Sequence, residues 1–282
     1  MANVHPGYMG LVDINGVGQV RFADSSITAR QAVDAPDIIM GDYDHDAYNY
    51  GKIEVGGSIS GPVTETFSSG GAGLWAWATA RDSCGLLTEA DATVYYYCGD
   101  GGSYREFKGM LVNSLGFSCS AGDVAQFTLD LMGKGAEPFQ AGDPPTFQDA
   151  EKLITWDKVS VTITPGDEDF TVPANIAYSN FDFSLNNNCS PTYALNQANL
   201  FPFEIVSGLR TITGSVSAYN TPEANGVDAF DDYVAASIGT IAFNIGGLAI
   251  TCKARFHRVE PASSVGPILS TIAFTGVGHQ SF

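Results

Sequence analysis

The feature that most constrains this chain is a pattern of residues that occurs twice, in the same order. Gly51-x-x-x-Val55-x-Gly57-Ser58-Ile59-Ser60 in the first half has a counterpart in Gly208-x-x-x-Ile212-x-Gly214-Ser215-Val216-Ser217. In each half a short aromatic segment with helical spacing follows, Leu74–Asp82 and Asp228–Ser237. Next comes a run opening on threonine, Thr93-Val94-Tyr95-Tyr96-Tyr97 and Thr240-Ile241-Ala242-Phe243. Each half then ends in a long hairpin that closes alike, on Leu129-Asp130-Leu131-Met132-Gly133 and on Ile272-Ala273-Phe274-Thr275-Gly276. Self-similarity of this kind means one supersecondary unit used twice. The expected organisation is a first domain over 1–134, a Pro- and Gly-rich linker over 135–151 and a second domain over 152–282, lengths ordinary for single domains.

The local pattern is that of strands. In 126–131, Gln126, Thr128 and Asp130 alternate with Phe127, Leu129 and Leu131, so one face of that run is buried and the other is wet. Ser118-Cys119-Ser120-Ala121-Gly122-Asp123 separates it from Phe107–Phe117 with turn chemistry, which predicts a hairpin. Two segments read as helices of about three turns, 73–82 and 227–237, the second with Asp228 as N-cap. The expected fold is mainly β: two tandem β-sandwich or barrel domains, each flanked by one short helix.

Charge narrows the function. The chain of 282 residues carries 31 acidic and 13 basic side chains, a formal charge of −18. That argues against a reader of nucleic acid, which needs a basic stripe, and against an anionic membrane surface. Both halves are acidic: 1–146 holds 18 acidic and 7 basic residues (18 − 7, or −11 net), and 147–282 the remainder. No run of about 18 apolar residues occurs, and the first residues lack a signal-peptide pattern. Synthesis in a cytoplasm is therefore expected, with five scattered cysteines kept as thiols.

At Glu204-Ile205-Val206-Ser207-Gly208-Leu209-Arg210-Thr211-Ile212-Thr213-Gly214-Ser215-Val216 the sequence resembles phage tail tube proteins, in which a Gly-Arg-containing turn precedes a Thr-Gly-Ser strand. Phe181–Asn188 is similar to the strand and Asn-rich turn that lead into it. The resemblance covers most of 152–282 and, more faintly, 8–134, where Gly56-Gly57 replaces Thr213-Gly214 and the Gly-Leu-Arg turn is missing. It implies a two-domain subunit of a long-tailed, siphovirus-type tube. Homotrimeric, pseudo-hexameric rings would self-assemble by stacking around an acidic lumen through which DNA is ejected without adhering. The implied partners are further copies of the chain and other tail components: tape measure, tail terminator and distal tail proteins. The implied location is the virion tail, assembled in the host cytoplasm. Interface residues are expected in the acidic, aromatic loop 33–51, at Ile38, Ile39, Met40, Tyr43 and Tyr48. Their counterparts in the second half are Asn187, Phe201, Phe203 and Arg210.

Other chemistry was weighed. Asp42-x-Asp44-x-Asp46 opens like a calcium loop, but Ala47 and Ile53 stand where that loop needs Gly and Glu. His5, His45, His257 and His279 share no metal spacing. No nucleophile elbow, P-loop or dinucleotide fingerprint occurs, so neither an enzyme nor a cofactor is expected. The rival reading is an exported or virion-surface β-sandwich binding module, lectin- or adhesin-like, which usually shows an export signal or paired cysteines.

Overall fold

The computed structural model describes residues 10–34, 49–82, 85–96, 102–142, 152–164, 177–195, 200–219, 238–258 and 269–277. The first half builds β1 (Gly10–Ile14), β2 (Gly18–Phe22), β3 (Asp24–Ser25), β4 (Thr28–Asp34) and β5 (Asn49–Pro62). The helix α1 (Glu65–Thr79) follows, then β6 (Ala90–Tyr96), β7 (Ser103–Ser120), β8 (Gln126–Gly133), β9 (Gly135–Ala136) and β10 (Gln140–Ala141). The second half builds β11 (Val159–Thr164), β12 (Tyr178–Asn186), β13 (Cys189–Thr192), β14 (Glu204–Ser207) and β15 (Thr211–Tyr219). It ends with β16 (Ile238–Ile245), β17 (Leu248–Arg258) and β18 (Leu269–Gly276).

The two halves share one topology. In the first the strand order is β4-β5-β8-β7-β6-β1, and in the second β12-β15-β18-β17-β16-β11, with every pair antiparallel. Even the register agrees. Gly57 lies opposite Leu131 as Gly214 lies opposite Phe274, and Ile59 opposite Leu129 as Val216 opposite Ile272. Sequence periodicity and strand pairing thus describe the same duplication.

The glycine in each copy has a steric reason. A Cβ on Gly57 would stand 2.4 Å from the Ser26 carbonyl oxygen, and one on Gly214 would stand 2.3 Å from that of Asp182. Ser26, between β3 and β4, faces β5 where Asp182 of β12 faces β15, so the same close approach of two backbones is built twice.

β7 is long because it serves two partners along one edge. Its first part pairs with β6, its last part with β12 of the second half. A bulge at Asn113, between Val112 and Ser114, marks the change, as an extra residue bends a strand and strengthens its twist. The β7–β12 pairing runs from Asn180 opposite Ser120 to Asn186 opposite Ser114, and it makes sixteen of the strands one sheet; β13 and β14 form a separate ribbon.

One continuous set of buried side chains underlies both halves. Trp75 of α1 meets Phe183 of β12 at 5.7 Å between ring centroids, Phe183 meets Phe243 of β16 at 5.6 Å, and Phe243 meets Phe274 of β18 at 5.9 Å. Such pairs contribute about 1 kcal/mol each beyond the area they bury. The first half's helix is thereby anchored in the second half's core.

Two expectations need adjustment. The helix expected over 73–82 begins at Glu65 and ends at Thr79. Its Gly- and Ser-rich first turns have low helix propensity, but Gly73 lets the helix approach Val17, whose carbonyl would lie 3.1 Å from an added Cβ. The segment beyond 135, expected to open a linker, adds β9 and β10 to the free edge of β7. The helix expected over 227–237 lies outside the described residues.

Candidate assembly surfaces

The seam between the halves is closed by polar side chains that finish the end of α1. The last carbonyls of a helix have no partner within it, and α1 carries no basic residue in its last turn. The second half supplies what is missing. Asn187, fully buried, donates from Nδ2 to the carbonyl of Ala78 at 3.0 Å and to that of Val112 at 2.9 Å. Arg210 donates from Nη2 to the carbonyl of Thr79 at 2.7 Å and from Nε to Asn187 Oδ1 at 3.0 Å. A cation there also opposes the negative end of the helix dipole. Burial, with Arg81 nearby, lowers the Arg210 guanidinium to about 10, which leaves it charged at neutral pH.

Arg81 completes the clasp from the first half. It donates from Nη1 to the carbonyl of Gly85 at 2.8 Å and to Ser207 Oγ at 3.2 Å, and from Nη2 to the carbonyl of Gly208 at 3.4 Å. The three consecutive asparagines Asn186, Asn187 and Asn188 divide the labour. Asn186 Oδ1 accepts from the Asn188 amide at 2.7 Å, an Asx turn. Asn188 takes a φ of +50°, which asparagine tolerates better than most residues. Asn187, between them, is free to point inward. The bulge residue Asn113 receives the Asn187 amide on its carbonyl at 2.7 Å and the Cys189 amide on Oδ1 at 2.9 Å.

From this clasp an arm built on the β13–β14 ribbon, described over residues 188–195 and 200–210, reaches across the first half. Tyr193 donates its hydroxyl to the carbonyl of Ile53 at 3.3 Å, and the Ile53 amide donates to the carbonyl of Leu200 at 2.8 Å. Under the arm, Leu87, Leu111, Cys189 and Ile205 form a small buried cluster of their own. Three apolar side chains along the arm are exposed: Leu195 and Leu209 at 104% and 89%, and Phe203 at 62%.

The sequence-derived interface residues therefore separate into groups. Asn187 and Arg210 hold the two halves of one chain together. Phe201 packs against the core, and Phe203 stands on the outside of the arm. Ile38, Ile39, Met40, Tyr43, Tyr48 and the Asp42–Asp46 run lie outside the described residues. Leu195, Leu209 and Arg81 were missed by sequence reasoning; an apolar residue beside Gly208 in an otherwise polar turn was the available signal for Leu209.

The chemistry on view is structural. Among the described residues no group of three or more His, Cys, Asp or Glu is arranged to hold a metal. No helix among them is long and apolar enough to cross a membrane. Burial raises the Cys189 thiol to about 11 and the Cys252 thiol to about 12, so both stay protonated and packed.

The sequence matches the phage tail tube protein family over residues 6–276, nearly its whole length. The chain belongs to that family. No curated protein matches it. As a phage tail tube protein it is a mainly β structural component of the virion tail, which displaces the lectin- or adhesin-like reading. The match spans both halves, in keeping with their common topology.

Proposed function

We propose that three chains of this tail tube protein close into a pseudo-hexameric ring, and that rings stack into a hollow, siphovirus-type tube for DNA passage. The supporting observation is the seam inside the chain, where β12 joins β7 edge to edge. The repeat supplies the same two edges once more. β4 occupies the place of β12, and the end of β17 occupies the place of the β7 segment that receives β12. Among the described residues no strand pairs with the outer edge of β4, nor with the edge of His257–Arg258 remote from β18. Joining β4 of one chain to β17 of the next repeats the internal seam between chains. Such a head-to-tail contact closes into a ring when its rotation permits.

The register follows from the template. Asn186 lies opposite Thr211 as Arg30 lies opposite Glu54, and Ser114 lies opposite Asp130 as His257 lies opposite Ala273. Since Asn186 pairs with Ser114, Arg30 of one chain pairs with His257 of its neighbour. The loop 35–48 joins β4 to β5 and the arm 188–210 joins β12 to β15, equivalent positions in the two halves. We assign both to contacts between subunits or rings, with Ile38, Ile39, Met40, Tyr43 and Tyr48 on the first and Phe203 on the second. The acidic balance of both halves favours a lumen that DNA does not stick to. The tape measure, tail terminator and distal tail proteins are the further partners of such a tube.

Sedimentation of the purified chain is expected to give the mass of three chains and its multiples, with hollow tubes in negative stain. A monomer at micromolar concentration, with no tubes, would contradict the reading.

A further inference from the structure

The two copies of the repeat differ at one place where the first is apolar and the second is charged. On β7, Leu111 joins Leu87, Cys189 and Ile205 in the small cluster under the arm, while its neighbours Met110 and Val112 belong to the main core. Leu111 lies opposite Met132 as Arg255 of β17 lies opposite Thr275. The equivalence is fixed one strand further on, where Gly56 faces Met132 as Thr213 faces Thr275. Arg255 therefore stands where the first half has the leucine that receives the arm. It is exposed, as are Lys253 and His257 on the same side of β17, and Cys252, Ala254 and Phe256 between them are buried. On the neighbouring strands Arg255 faces Ile238 and Thr275, and His257 faces Ala273. No carboxylate stands directly opposite either of them among the described residues.

The segments that would cover the two places differ in the matching way. Residues 190–203 of the arm contain no charged side chain. Residues 34–46, from the end of β4 into the loop 35–48, contain five aspartates, Asp34, Asp37, Asp42, Asp44 and Asp46, and no lysine or arginine. Ile205, which covers Leu111, stands three residues before Gly208; Tyr48 stands three residues before Gly51, the matching glycine of the repeat. An uncharged arm thus goes with a leucine, and an acidic, aromatic loop goes with an arginine.

We infer that Arg255 is the dock for the acidic loop of a second copy of this chain, which it receives as Leu111 receives the arm within one chain. The inference rests on the ring reading above and specifies where the loop lands and what holds it. Within a chain the contact forms as the chain folds, so apolar side chains suit it. Between chains the surface stays wet until a neighbour arrives. An arginine is soluble there, where a leucine would add to an exposed apolar patch. Arginine also offers two modes of contact at once, its fork to a carboxylate and its flat face to a tyrosine ring. Opposite charges on the two copies, with Lys253 beside Arg255, further favour encounter in the correct orientation.

The test is charge exchange, read by sedimentation as the concentration at which purified chains assemble. Arg255→Glu is expected to raise that concentration at least about tenfold, because it sets like charges against each other. The denaturant midpoint of the dissociated chain is expected to stay unchanged, since Arg255 is exposed. Arg255→Gln, which keeps the length of the side chain and loses the charge, is the second variant and is expected to act in the same direction by a smaller factor. Adding Asp46→Arg or Asp44→Arg to Arg255→Glu is expected to recover assembly. Adding Asp157→Arg, which restores the same net charge at an exposed position in the second half, is expected to recover nothing. Assembly of Arg255→Glu at the parent's concentration would overturn the inference and leave the ring reading standing. So would equal recovery by Asp157→Arg, which would make net charge the cause, or no recovery by either loop variant, which would place another surface over Arg255. Absence of assembly by the parent chain would overturn the ring reading, and the inference with it.

Discussion

Gly214→Val is expected to prevent the chain from folding, and Gly57→Val to do nearly the same. At Gly214 the new Cβ would stand 2.3 Å from the Asp182 carbonyl oxygen and 2.4 Å from Cζ of Phe274. Backbone on one side and a buried ring on the other leave nothing to move. At Gly57 the obstruction is backbone, the Ser26 carbonyl oxygen at 2.4 Å, and the φ of +149° is one that side chains with a Cβ rarely adopt. Overpacking against fixed backbone at Gly214, and overpacking with backbone strain at Gly57, cost about 3 kcal/mol or more each, a large share of a typical domain's stability. Gly16→Ala is the control. It has a φ of +79° but nothing within 4 Å of an added Cβ, so only the strain of about 1 kcal/mol applies. Soluble yield and denaturant midpoints distinguish the cases. A well-folded Gly214→Val chain would mean that β12 and β15 do not approach as described.

Asn187→Ala is expected to cost about 3 kcal/mol in equilibrium unfolding, because it strands the buried carbonyls of Ala78 and Val112 and takes one acceptor from Arg210. The amide touches α1, β7 and Arg210 at once, so the loss is not confined to one contact. Combined with Arg210→Ala, the effects are expected to fall short of additivity by more than about 0.5 kcal/mol, as for residues in one hydrogen-bond network. A cost below about 1 kcal/mol would mean water replaces the amide without penalty and the clasp is dispensable.

Much of this was legible in the sequence because the duplication writes the same steric demands twice. The paired glycines, the alternation in 126–131 and the parallel closing strands each state a local rule, and the register of β5–β8 and β15–β18 obeys it residue by residue. Asn187 and Arg210 were visible through the Asn-rich and Gly-Arg turns that carry the family resemblance. Their partners were not, since the carbonyls of Ala78, Thr79 and Val112 come from backbone more than 70 residues away in the sequence, and no local pattern encodes that distance. The start of α1 was missed for a related reason. Its glycine- and serine-rich first turns have low intrinsic helix propensity, so no local pattern announced them. Which acidic residues lie on the sheet face turned away from the core was likewise hidden, because parity along each strand shows two faces but not which of them meets the core until neighbouring strands are placed.

The central claim is that chains join one another as the two halves of a chain already do. Its most direct measurement is oxidation of the Arg30→Cys/His257→Cys double variant, read on a non-reducing gel. The account predicts a cross-linked species of three chains that a reductant returns to monomer, with neither single variant producing it. A gel showing only monomers from tubes that have assembled normally would contradict the β4–β17 junction.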